Sequence, residues 1–112
     1  MRQPCIVGVS DAKIDERGCV SKDSSVLSIQ KDCAIEALND AGLNITDIDG
    51  LAVAGLWGMP GPGIMQPNVL TEYLGISYPK WLDGTNTGGS AFIFHLQQLF
   101  CFLITIYILT AQ

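Results

Sequence analysis

The residues best placed to do chemistry in this chain of 112 are Trp81–Ser90, WLDGTNTGGS. One acid, Asp83, closes an extended run. Gly84, Thr85, Asn86, Thr87, Gly88, Gly89 and Ser90 follow, and then the apolar run Ala91-Phe92-Ile93-Phe94 begins. That order predicts a strand, a tight turn and a helix N-terminus. Such a turn gathers free backbone N–H groups and the positive end of a helix dipole at one point, a geometry that can seat a nucleophile, an oxyanion or a phosphate. Between Gly84 and Ser90 there is no Cys, Lys or acid.

The phosphate-binding and nucleophile motifs do not fit. A phosphate loop needs a Lys after its last glycine, and Ser90 follows Gly89 instead. The dinucleotide fingerprint and the G-x-S-x-G elbow are absent as well. His95, the only histidine, lies five positions beyond Ser90, so a helix turns it away from that hydroxyl. It is expected on a helix face with one ring nitrogen hydrogen-bonded. Asn86 cannot act as a covalent nucleophile. Its amide can donate to a carbonyl oxygen that gains negative charge, or the residue can simply tolerate the turn's backbone. On the residues alone both readings stand.

The elements that must position this turn can be read from pattern. Cys5–Val9 is a short β-branched run expected as a buried strand, and Asp11–Ser25 is polar and reads as a solvated loop. Ser24 or Ser25 can cap a helix in which Val26, Ile29, Cys33, Ala34, Ala37, Leu38 and Ala41 recur at helical steps, ended by Gly42. Thr46–Asp49 suggests a capped turn, and Leu51–Ala54 a second buried strand. Gly55–Pro67, with its GMPGPG run, cannot be a regular element, and its Trp57, Met59 and Met65 suggest packing on a partner or subunit. Pro67-Asn68 opens a short helix, Val69–Leu74, stopped by Gly75. Tyr78-Pro79 leads into the third strand, Lys80–Asp83. Ser90–Phe102 suits a helix and Leu103–Thr110 a strand. Alternation of strands and helices implies an α/β fold with a mainly parallel sheet.

Composition narrows the function. The apolar fraction is 48% and the charged fraction 15%, too apolar for a disordered chain. The net charge of −5 with scattered Lys and Arg argues against nucleic-acid binding. No charged residue follows Asp83, so the end of the chain needs burial in its own fold, in a partner or in a membrane. The densest apolar part, Leu99–Leu109, is short of the ~20 residues that a bilayer requires, which argues against a span. The apolar run Cys5–Val9 is too short for a signal segment, so the chain reads as cytoplasmic. Cys5, Cys19, Cys33 and Cys101 show no C-x-x-C spacing and only one His accompanies them, which argues against zinc or any other metal. They are expected reduced and mostly buried.

Four segments together carry a resemblance: IVGVSD at 6–11, AIEALNDAGLNITDIDGLAVAG at 34–55, TEYLGI at 71–76 and WLDGTNTGGSAF at 81–92. In order and spacing they resemble the N-terminal half of the thiolase superfamily. The nearest group is the thiolase-like lipid-transfer proteins related to sterol-carrier-protein-linked thiolase. The resemblance covers Cys5 to Gln98. It implies a thiolase-like layered α/β fold, partial here, in which the helix after the third strand is buried and its N-terminus points into an acyl-CoA site. The family's nucleophilic Cys sits in a turn of the kind V-E-G-T-C-A-S-G-G-A, and on Leu82–Ala91 that Cys falls on Asn86. Cys33 and Cys101 do not lie at the turn. The second half of a thiolase, which supplies a His and a second Cys, has no counterpart in this chain.

The resemblance thus implies two parts: a partial thiolase N-terminal domain at 1–98, and an atypical apolar tail at 99–112, expected from truncation, mis-splicing or a change of frame. It implies a fragment of an acyl-CoA acyltransferase or lipid-transfer protein, inactive alone, with no bound cofactor and acyl-CoA as substrate or ligand. Asn86, Gly88, Gly89 and Ser90 would hold the thioester. A homodimer or accessory pairing is expected in the full-length relative, and peroxisomes or mitochondria are the family's other compartments. The alternatives are a non-catalytic acyl-CoA-binding or scaffold subunit, and a small membrane-tethered domain that uses the tail.

Overall fold

The computed structural model describes residues 5–54, 66–84, 90–102 and 107–110, with the backbone alone at 66, 99–102 and 107–110. Residues 55–65, expected to form no regular element, and residues 85–89 of the Gly-rich segment lie outside the described residues.

Helix α1 spans Val26–Ala41. Its first turn is closed reciprocally. The Ser28 N–H donates to Ser25 Oγ at 3.1 Å, and the Ser25 N–H donates to Ser28 Oγ at 2.8 Å. At the other end Gly42 takes φ +73°, the left-handed conformation that a side chain would disfavour, and its N–H reaches the carbonyls of Leu38 and Asn39. Ser25→Ala is expected to remove about 1 kcal/mol of stability, measured by urea unfolding; an unchanged midpoint would mean that the cap is idle. The inward face is narrower than the apolar pattern suggests: Gln30, Ala34 and Leu38, one helical turn apart, are buried, while Ile35 is exposed.

A 3-10 turn at Ile45–Asp47 follows, with Asp47 Oδ2 accepting from the Asn44 N–H at 2.9 Å. It feeds strand β1, Gly50–Val53, in which every residue is buried. Helix α2 spans Gln66–Leu74, beginning three residues before the expected start, and Gly75 stops it at φ +79°. Strand β2 is Trp81–Asp83, helix α3 is Ala91–Phe102 and strand β3 is Tyr107–Thr110. Of the expected strand Leu103–Thr110, residues 103–106 lie outside the described part.

The described sheet has the order β2-β1-β3, and both pairings are parallel. Gly50 stands opposite Trp81 on one side and Tyr107 on the other. The Lys80 N–H donates to the Asp49 carbonyl at 2.6 Å, and Lys80 Nζ lies 3.3 Å from Asp49 Oδ2, so the two strands are tied just before their first residues.

Side-chain alternation along the strands sorts the layers. Leu51 and Val53 of β1 join Ala34, Leu38, Leu70 and Leu74 in one core, and Leu82 of β2 packs on it. That face is covered by α1 and α2, which pack on each other; α2 lies over β1 and β2, and α1 over β3. Ala52 and Asp83, paired in register, therefore face the opposite side. There α3 supplies His95, which lies 3.5 Å from Asp83. The sheet is thus sandwiched between an α1–α2 layer and α3.

The expected strand at Cys5–Val9 does not form. β1, whose two edges pair with β2 and β3, offers it no place. The segment instead runs along α1 in extended form. Gly8 approaches so closely that a Cβ there would sit 2.2 Å from the Ala37 carbonyl oxygen. The Val9 N–H donates to Asp40 Oδ2 at 3.0 Å rather than to a neighbouring strand. Ile6, Val7 and Val9 are left exposed, at 65%, 59% and 69%.

The polar loop that follows is solvated as expected, and it docks on α1 through Lys13 Nζ, 2.8 Å from Glu36 Oε1, and Ser10 Oγ, which donates to Glu36 Oε2 at 3.2 Å. Hydrogen bonds from Lys13 and then Ser10 hold the Glu36 carboxyl below its ordinary value of 4.5. A depressed folded value means that the contact contributes above pH 4.5 and is lost as pH falls through the folded value. Acidification is expected to release the loop at Ser10–Lys13 without melting α1, read as loss of the nuclear Overhauser contacts between Lys13 and residue 36. Glu36→Gln should abolish that dependence.

Candidate functional site

The end of β2 and the start of α3 flank the Gly-rich segment. Asp83 is the last residue of β2, and Ser90 precedes α3, with its carbonyl accepting from the Ile93 and Phe94 N–H groups at 3.2 and 3.4 Å. The strand and the helix read from the sequence are therefore present on either side, and the turn expected between them lies at 85–89, outside the described residues. Of the four expected site residues, Ser90 is exposed at the helix start, while Asn86, Gly88 and Gly89 lie outside the described residues.

Two contacts fix the ends of this segment. Gly84 lies against α2, where a Cβ would stand 3.0 Å from Pro67 Cγ and 3.2 Å from Pro67 Cδ. Alanine at that position would press on the proline ring at the start of α2. The second contact is between Asp83 and His95. Ala91 and His95, one helical turn apart, are both fully buried. His95 Nε2 stands 3.5 Å from Asp83 Oδ2, and Phe92 meets the imidazole edge-on with ring centres 6.2 Å apart.

The sequence offered a signal for this pair: one acid at the end of a strand, and one imidazole a turn into an otherwise apolar helix. The pattern placed His95 on a helix face but did not name its partner.

Elsewhere α3 is exposed, at Ile93, Phe94 and Gln97. Ile93 is 68% exposed and Phe94 46%. The expectation of a buried helix after the third strand thus holds for one side of α3 only. The cysteines also depart from expectation, since Cys5 and Cys19 are exposed and Cys33 is half-buried. Burial pushes the Cys33 thiol up, opposed by a hydrogen bond with Ser10 and reinforced by Glu36, Asp11 and Asp32. A thiol held protonated in this way is a poor nucleophile. Among the described residues, no group of three or more His, Cys, Asp or Glu could hold a metal ion, and no helix is long and apolar enough to cross a membrane.

No family model matches the chain, and no curated protein does. Among solved structures, the chain is similar to 3-oxoacyl-[acyl-carrier-protein] synthase III from Aquifex aeolicus, with a TM-score of 0.57 and 20% identity. The match covers 74% of this chain and 26% of that one, so this chain spans about a quarter of its neighbour's length. The likeness shows the fold, a thiolase-like α/β arrangement, with which the parallel sheet between helices is compatible.

Proposed function

We propose that this chain is an N-terminal part of a thiolase-like acyl-CoA protein, in which the Gly84–Ser90 segment seats the thioester. Asn86 and the amides of Gly88 and Gly89 would donate to the thioester carbonyl, with Ser90 beside them at the helix start. What carries the reading is β2 running into α3 across a Gly-rich segment, within a thiolase-like fold. Asn in place of the family's nucleophile suits holding an acyl-CoA better than forming an acyl-enzyme. The chain by itself would bind without turnover, and the segment at 99–112 would mark the departure from the family's pattern. The four quoted segments favour the lipid-transfer branch.

Calorimetric titration of the 112-residue chain with acetyl-CoA and longer acyl-CoAs tests this. The expected result is saturable heat with at least one acyl-CoA and no release of free CoA. Absence of heat with every chain length at millimolar ligand would sink the reading.

A second reading is favoured by one observation. Ile93 and Phe94 form an exposed apolar patch on α3, and in an acyl-CoA-binding or scaffold subunit that patch would pair with a second copy of the chain. Light scattering should then give a dimer that Phe94→Glu splits. A monomeric wild type would remove the argument.

A further inference from the structure

We propose that the loop ahead of α1 binds a phosphate monoester carried on an apolar body, with Arg17 and Lys22 holding the phosphate. The loop is organised by one side chain. Asp15 Oδ1 accepts from the Arg17 and Cys19 N–H groups, both at 2.9 Å. The Asp15 N–H donates to the Cys19 carbonyl at 2.8 Å, and the Gly18 N–H to the Asp15 carbonyl at 2.9 Å. A second turn follows, in which Ser21 Oγ accepts from the Asp23 N–H at 3.3 Å and the Ser21 carbonyl from the Ser24 N–H at 3.1 Å. The loop lines a cleft of about 460 Å³, within the size range of small-molecule sites. The chain carries a net charge of −5 and only six Lys and Arg, yet three of the six, Lys13, Arg17 and Lys22, line this one cleft. Asp15 is the one acid that lines it, and an oxygen of that carboxylate is already engaged by two backbone N–H groups. Lys13 is engaged as well, 2.8 Å from Glu36. Arg17 and Lys22 are exposed, and among the described residues neither is paired with a carboxylate. A guanidinium offers parallel N–H donors that match two phosphate oxygens, and an ammonium adds a point charge. A monoester close to two negative charges at neutral pH matches two cations better than a carboxylate does. Ile14 and Val20, 64% and 42% exposed, also line the cleft. They supply the apolar wall that inorganic phosphate would leave bare.

The inference is independent of the acyl-CoA reading. Its test is an NMR titration of the intact chain with hexyl phosphate, inorganic phosphate and hexanol. Hexyl phosphate should shift the amides of Arg17, Cys19 and Lys22 saturably, with half-saturation near ~1 mM. Inorganic phosphate should shift the same amides but bind about threefold more weakly, and hexanol should not saturate. Arg17→Gln and Lys22→Gln should each weaken hexyl phosphate about fivefold. Lys13→Gln should stay within about twofold of wild type, because that ammonium already belongs to Glu36. Asp15 separates a built site from plain charge attraction. Asp15→Ala removes a negative charge from the cleft, so charge alone would tighten binding. It should instead weaken binding about threefold, because the turn that carries Arg17 loses its two side-chain hydrogen bonds. Asp15→Asn keeps the accepting oxygen and should bind at least as well as wild type. No saturation by about 20 mM hexyl phosphate, an Arg17→Gln chain that binds like wild type, or a tighter Asp15→Ala would each overturn the inference. Equal shifts at Lys31 and Lys80 would show diffuse ion association and overturn it too. Inorganic phosphate that binds as tightly as hexyl phosphate would remove the apolar body from the ligand.

Discussion

Replacing Leu51 with alanine is expected to cost about 3 kcal/mol of folding stability. Leu51 is fully buried at the second position of β1, the central strand of the described sheet, and it packs in the core with Ala34, Leu38, Leu70 and Leu74. Truncation removes most of the side chain's burial and leaves a void between a sheet and two helices, whose backbones cannot close in without breaking the pairings at Leu82 and Ile108. A small domain has only about 5–15 kcal/mol in total, so the loss should lower the thermal midpoint by roughly 10–20 °C. Tyr78, 90% exposed, supplies the control. Tyr78→Ala should change stability by no more than about 0.5 kcal/mol. Equal effects of the two substitutions in calorimetry would mean that β1 is not the centre of the core.

On the proposed acyl-CoA reading, Asn86→Cys should give the Gly-rich segment a group that accepts an acyl chain. A thiolate introduced ahead of a helix N-terminus is stabilised by the amides and dipole there. It would attack the thioester carbonyl of acetyl-CoA, the C–S bond to CoA would break, and CoA thiolate would leave and take up a proton. The product is an S-acetylated thiol at position 86, visible by peptide mass mapping. Cys5 and Cys19, both exposed, provide internal references for unassisted transfer. The introduced thiol should acylate about tenfold faster than either, whereas the wild-type chain should show only the slow background. Acylation at position 86 no faster than at Cys5 would count against a thioester seat at this segment.

Much of this fold could be read from residue patterns, and where it could not the reasons are physical. The α1 boundaries follow from Ser25 and Gly42, because capping is a local interaction between residues close in sequence. β1 and β2 were legible because short apolar runs between helices have few other places to go in a layered α/β domain. Cys5–Val9 has the same β-branched character, yet it is held on α1 through Gly8 against Ala37 and the Val9 N–H on Asp40, long-range contacts that nothing local reports. The Gly-rich segment was legible as a candidate site from its place between β2 and α3. The approach of His95 to Asp83 was not, since the two meet only once α3 is laid on the sheet. The exposed side of α3 was hidden for the converse reason: an all-apolar helix does not announce which of its sides will be covered.

The central position of β1 has a kinetic consequence as well. It pairs with β2 soon after itself in the chain, but its other neighbour, β3, begins at Tyr107. On a ribosome that adds about 5–20 residues per second, the second edge stays open for roughly three to ten seconds after β1 emerges. During that interval the nascent chain displays Leu51-Ala52-Val53 as an unpaired apolar edge, the kind of template on which chains associate wrongly. Parallel pairings between distant segments are also the slow ones to form. Cellular yield of this protein should therefore depend on translation speed and on shielding of that edge, even where the finished fold is unchanged.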